Sequence, residues 1–464
     1  MASLSYSQVA RMSRRELKKL KEREKELKER EKVKEFEKEL YSRECVAQSI
    51  NFVVGEANKE LPALFDREIF SCYLATILAR DKEVVAVWLR ILQGRCEIYL
   101  SKNSDWLDED IEYIDNITKY LKNISKNAPV ISKDNERDFL EAVTIYCSTK
   151  LKSRLKKLHD DTEFYGDNEH VKSFSDFLSV RVAIIGNAEN TNIITISGIC
   201  KEYCEKIKKA KIESRIPSEF LRHIKKVSSY MASAIGIVEC ARNIQYKSLF
   251  SNVQVYRVNP VIIKNQPIYS WENIIRRFID EDRYKRFMNR CSKKPKIMER
   301  ISKVYTDKAT QKQQPLDGDN VKQCIYLHAE MNILASLIID KKIKRRVFIA
   351  VSKRCCFLCE LYINFAQLYH GYNIIVSEPQ FFTKYDFDWK NTKICSGWKF
   401  PHVRDNKFMA ESLNYILKNL NQIIEQKLEH YTSNLPADSS DGQYIYGYIK
   451  GFSSNPDNNF NLFS

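Results

Sequence analysis

Between Cys324 and Cys359 the chain carries His328-Ala329-Glu330 and then Cys356-Phe357-Leu358-Cys359. The residues between the two pairs dictate where they go. Met331, Leu334, Leu337 and Ile338 recur at helical spacing, which predicts a helix from about His328 to Asp340. Val347 to Val351 is a short apolar, partly β-branched run bounded by charge, and reads as a buried strand. Leu358, Leu361, Tyr362, Phe365, Leu368 and Tyr369 return to the helical period. His328 and Glu330 therefore open one helix, and Cys356 and Cys359 open the next.

In an α/β layer, helices that follow strands begin on one edge of the sheet, where ligands bind. The partial positive charge of a helix N-terminus favours thiolates there. His328, Cys356 and Cys359 can thus converge on one ion. Three nitrogen and sulfur ligands suit Zn2+ and leave the fourth tetrahedral position open to water. Zinc lowers the pKa of such a water to about 7. Glu330, two residues from His328, is placed to carry protons as general acid and base. Taken singly, an H-x-E says little, and a C-x-x-C can be buried hydrophobe or redox pair. The two joined by a helix-strand unit point to a metal centre.

The pattern H-x-E…C-x-x-C is similar to the signature of zinc nucleobase deaminases, the cytidine deaminase-like superfamily. More narrowly, Ser352-Lys353-Arg354-Cys355-Cys356-Phe357-Leu358-Cys359 resembles a branch of predicted deaminases found mainly in fungi, in which a Ser-Lys pair ends the strand before the cysteines. The resemblance covers roughly the last two-fifths of the chain. It implies a three-layer α/β/α core, zinc as cofactor, and hydrolytic deamination of cytosine or adenine. It assigns Glu330 the catalytic role and His328, Cys356 and Cys359 the metal. Cys355 stands where the family has Pro, so Cys355 competes for the metal through Cys355-x-x-x-Cys359. The two-residue gap of the family favours Cys356.

The rest of the chain frames this unit. With 464 residues, more than one domain is expected. Only 12 Gly and 11 Pro argue against a large all-β architecture. The net charge of +16 is compatible with nucleic acid or another anionic surface. The 13 cysteines are scattered and odd in number, the first ten residues form no leader, and no apolar run suffices for a membrane span. The thiols are read as reduced and the protein as intracellular, cytoplasmic or nuclear, without membrane contact.

Residues 1–44 read as a charged helix in which Glu and Lys interleave from Ser13 to Arg43, a solvated helix that offers one route to self-association. Residues 45–250 read as a helical domain, including REIFSCYLATILARDKEVVAVWLRILQGRCEIYL as one periodic segment. Its Cys200-x-x-x-Cys204 pair and its histidines, His159, His170 and His223, are assigned no role. A deaminase-like domain is expected over 270–405. In it Trp271 to Arg290 is the first helix, and Ile297 to Tyr305 pairs with Val321 to Leu327 as a hairpin. Val347 to Val351 and Tyr372 to Val376 follow as further strands. Residues 406–435 form a last helix and 436–464 a mobile tail, with a short strand at Tyr444 to Ile449.

The expected substrate is a nucleoside or single-stranded nucleic acid. Lys353 and Arg354 sit between the strand end and Cys356, which makes them the candidates for a substrate phosphate. The denser run Lys341, Lys342, Lys344, Arg345 and Arg346 lies past the far end of a helix ~20 Å long and is not. Trp398, in the aromatic stretch that includes Phe381, Phe382, Tyr385, Phe387 and Trp389, is the candidate to stack a base; the alternative for this stretch is a satellite hydrophobic cluster under a long loop. The alternative is a catalytically inactive deaminase-fold scaffold, its zinc closed structurally by Cys355, Cys324 or Cys395.

Overall fold

The computed structural model describes residues 14–50, 53–54, 64–130, 133–185, 193–305, 314–318, 321–377, 392–395 and 397–433. The chain is mixed α/β, with a large helical region and one five-stranded sheet. It divides into two compact units, 53–263 with 326–404, and 1–52 with 264–325 and 405–464. Phe381 to Trp389 and Tyr444 to Ile449 lie outside the described residues.

The first unit holds the sheet. Helix α1 (Asp66–Ile77) leads into a hairpin of β1 (Val85–Leu92) and β2 (Arg95–Lys102). From the sequence, this stretch reads as one periodic segment of a mostly helical region. The outcome differs because Val84, Val85 and Val87 are β-branched and a Gln93-Gly94 turn follows, with Gly94 at φ +73°. β3 (Val253–Val258) lies parallel to β2 on the outer side. Helix α2 is Ala329–Ile333 continued by the π-helical stretch Leu334–Ile339. Then come β4 (Val347–Val351), α3 (Phe357–His370) and β5 (Ile374–Ser377). The sheet order is β3-β2-β1-β4-β5. β4 runs antiparallel to β1, with Val87 opposite Ala350, and parallel to β5.

Alternation across the strands separates the two faces. Val85, Val87, Ile98, Leu100, Phe348 and Ala350 share one buried cluster with α1 and the helices behind it. Every residue of β4 is buried, so both its faces are covered. Behind α1, helix Ser218–Arg242 packs on α1, Asp108–Asn127, Lys133–Phe164 and Ile193–Ala210. A Cβ at Gly236 would fall 2.2 Å from the Tyr73 ring, so glycine is what lets this helix approach α1 so closely.

In the second unit, helix Arg14–Ile50 is exposed over its described early residues. It turns apolar near Leu40, and Leu40, Tyr41, Val46 and Ile50 are buried. Its partners are Asn406–Thr432, Trp271–Arg276 and Pro295–Ser302. Fully buried Trp271 donates to Ser49 Oγ at 2.7 Å. Two expectations are corrected here. Residues 271–290 form two helices, because Asp280 caps a new one, Glu281–Ser292. Ile297 to Tyr305 is no strand: Pro295 starts a helix, Pro295–Ser302, whose Ile297 and Ile301 are buried one turn apart. The expected hairpin does not form, and Lys322–Tyr326 pairs with Ile262–Pro267 instead. No helix among the described residues is long and apolar enough to cross a membrane.

Two buried carboxylates give the first unit a pH dependence. Burial alone would raise the pKa of Glu68, but the Arg346 fork (3.0 and 2.8 Å) and the Phe65 N–H hold it below the usual range. Burial likewise opposes Lys102, the Leu107 N–H and the Tyr146 hydroxyl at Asp110, and again the net shift is downward. A folded-state pKa below the unfolded value adds stability that is present above the unfolded pKa and lost as pH falls through the folded one. The melting temperature should therefore hold level from pH 7 to about 5 and fall below about pH 4. Melts across pH 3–7 check this, and a rise below pH 4 would contradict it.

Candidate metal centre

The centre forms where β4 ends and α2 and α3 begin. Ser352, just past β4, is tied to the start of β1: its N–H donates to Val85 O (2.9 Å), and its Oγ accepts from Val85 N (3.0 Å). Cys356 is then the N-cap of α3 and Cys359 lies in its first turn, both buried. His328 is the N-cap of α2 in extended conformation. Leu327 N–H donates to Val261 O (2.9 Å), and the Asn332 amide donates to Asn259 O (2.8 Å), which fixes the start of α2.

The three side chains meet. His328 Nδ1 is 3.2 Å from Cys359 Sγ and 3.6 Å from Cys356 Sγ, and the sulfurs are 3.5 Å apart. Tetrahedral zinc with ordinary bond lengths needs edges of about 3.8 Å between sulfurs and about 3.6 Å between sulfur and nitrogen. The donor set and its spacing fit the ion. Glu330 is 2% exposed, with Oε1 3.7 Å from His328 Nδ1.

Burial sets the protonation of the metal-free site. It pushes the Cys356 thiol up to about 11 and raises Cys359 well above its ordinary value. Burial would depress His328, yet Cys356 and Glu330 together carry it well upward. The same contact holds the Glu330 carboxyl low against its own desolvation.

Cys355 is half-buried and belongs to neither group of side chains spaced to share an ion; those groups are His328, Cys356 and Cys395, and His328, Glu330 and Cys359. Cys324 is exposed and in neither group. Lys353 is exposed and Arg354 half-buried in the β4–α3 loop, on the metal edge. Of the other basic run, Lys344 donates to His370 O at the far end of α3, and Arg346 is engaged by Glu68.

Trp398 is not where a base-stacking residue would sit. It is fully buried, and its indole N–H donates to Cys359 Sγ at 3.2 Å. It arrives there because Tyr326 N–H donates to Gly397 O (2.8 Å) and Lys399 N–H donates to Tyr326 O (3.0 Å), an isolated parallel bridge. The Tyr326 ring in turn stacks on His328 at 5.3 Å. Sequence reasoning missed both supports, since neither has a local pattern.

Residues 327–402 match a family model described as OTT_1508_deam-like deaminase. That segment is similar to deaminases of the cytidine deaminase-like superfamily. The deaminase segment starts one residue before His328 and takes in Glu330, both metal-edge cysteines, Cys395 and Trp398. No curated protein and no solved structure matches the chain.

Proposed function

We propose that the chain is a zinc-dependent hydrolytic deaminase of an amino-substituted nucleobase, cytosine or adenine, in a nucleoside or a single-stranded polynucleotide. The observation that carries this reading is the His328, Cys356 and Cys359 triangle with the Glu330 carboxylate beside it. Those three residues would hold the metal, which when bound supplies a water acidified to a pKa of about 7. Glu330 accepts a proton at a carboxylate oxygen and returns it to the departing amine. The balance is one water consumed, one ring C–NH2 exchanged for C=O, and one ammonia released. The Trp398 N–H on Cys359 orients that sulfur and offsets its charge. Lys353 and Arg354 are the residues we assign to a substrate phosphate.

The deaminase core, in this reading, is discontinuous. The helix, the antiparallel hairpin and the two later strand-helix steps of a three-layer core are supplied by α1-β1-β2 and by α2-β4-α3-β5. Residues 103–326 separate the two halves. Supporting it, the sheet places β1 directly beside β4, and residues 264–325 cluster with the other unit.

One observation favours a second reading. The Cys395 sulfur lies within 4.8 Å of the His328 and Cys356 ligand atoms, close enough to close the tetrahedron. A site closed by four protein ligands is structural, and the chain would then be an inactive scaffold. Zinc per chain and the sulfur count from X-ray absorption decide between them. The expected result is one zinc with two sulfurs, lost in Cys356→Ala and retained in Cys355→Ala and Cys395→Ser. An ammonia-release screen over nucleosides and oligonucleotides accompanies it. Three sulfurs and no release would establish the scaffold.

A further inference from the structure

At the opposite end of the sheet from the metal centre, the start of α1, the end of β1 and the start of β4 enclose a cleft of about 110 Å3. Its charged lining is Arg67, Arg90, Arg345 and Arg346 against one carboxylate, Glu68. That carboxylate is spent: it is 3% exposed and held by the Arg346 fork. Glu97, behind Arg90, is shared between Arg90 Nη1 (3.3 Å) and Arg95 Nη2 (3.0 Å). Arg90 Nε is buried and has no hydrogen-bond partner. Arg67 and Arg345 are exposed, with no ion pair among the described residues. Arg67 stacks over the Phe65 ring at 4.9 Å, a contact that occupies the face of a guanidinium and leaves its N–H edge available.

We propose that this cleft binds a phosphate monoester or inorganic phosphate. Two unpaired guanidinium forks match a dianion in charge, and a buried orphan N–H costs free energy until an acceptor reaches it. A carboxylate would answer one fork and leave the other unpaired. The cleft is far below the ~300 Å3 of a site for a drug-sized molecule, so it takes the anion itself and no attached ring. The five residues of β4, at ~3.3 Å each, separate it from the metal edge, so this is not the phosphate of the base being deaminated. The proposal does not depend on the chain being a deaminase.

Titration calorimetry of the full chain with inorganic phosphate tests it, against chloride at matched ionic strength. Binding should be specific for phosphate and weaken at least tenfold in Arg67→Gln and in Arg345→Gln. Both are exposed positions, and Arg346 is left in place to hold Glu68. Adenosine monophosphate should compete, and an unphosphorylated oligonucleotide should not. No phosphate-specific binding by the wild type, or equal affinity in folded variants, overturns the proposal. So does a cleft that binds the unphosphorylated oligonucleotide through the same arginines, since that would make it a backbone contact. Should either variant unfold, the wild-type comparison with chloride still decides.

Discussion

On the proposed function, Glu330→Gln is expected to keep the zinc and to lower deaminase activity by about 10⁴-fold or more. General acid–base catalysis contributes about 10²–10⁴, and in the proposed reaction the same carboxylate serves twice, first taking a proton and then giving it. Glutamine preserves the shape and can still hydrogen-bond, but it cannot carry the proton. Retention of metal is the second half of the test, because Glu330 is also spaced to share an ion with His328 and Cys359. If Glu330 were a ligand, the variant would lose zinc and activity together. Metal content and ammonia release on the same preparation separate the roles. Activity within tenfold of wild type would remove Glu330 from the chemistry.

The meeting of His328, Cys356 and Cys359 was legible because the parts of the candidate site are set by local structure. A histidine at the start of one helix and two cysteines at the start of the next, joined by one strand, must share a sheet edge. The supports were not legible. Trp398 reaches Cys359 through one backbone bridge to Tyr326, and nothing near position 398 encodes that pairing. Cys395 is brought close by the same stretch of chain. The sheet partner was misread for another reason. Residues 69–77 lie in a true apolar helix, and the apolar residues of 84–92 resume after only four charged residues, Arg80 to Glu83. The signals that set the hairpin apart are that charged break, the β-branching after it and the Gln-Gly turn between its strands, and all are short-range. The strand expected at Ile297 failed because its apolar spacing also fits a helix face, and Pro295 decides in favour of the helix.

The discontinuous core proposed above makes a demand that a contiguous one would not: residues far from the motif in sequence must hold the candidate metal ligands in place. β4 delivers Cys356, and its antiparallel partner is β1, where Val87 lies opposite Ala350 with no exposure. Val87→Asp would put an unpaired carboxylate into the cluster shared by both strands. Uncompensated buried charge costs on the order of 3–5 kcal/mol, against a total stability of about 5–15 kcal/mol. The expected result is a chain that melts far lower and no longer retains zinc, although position 87 is remote in sequence from every ligand. Ile145→Asp, at a position 67% exposed in the same unit, should change neither. The matching fragment experiment asks whether 326–404 stands alone. It contains β4 and β5 but not β1, which leaves the ligand-bearing strand with one long edge unpaired, and a two-stranded remnant is marginal in water. No cooperative melt and no stoichiometric zinc are expected from it. A fragment 326–404 that folds and binds one zinc would mean that the segment matched by the deaminase family is self-sufficient, and that the hairpin of β1 and β2 is packed onto the core without being part of it.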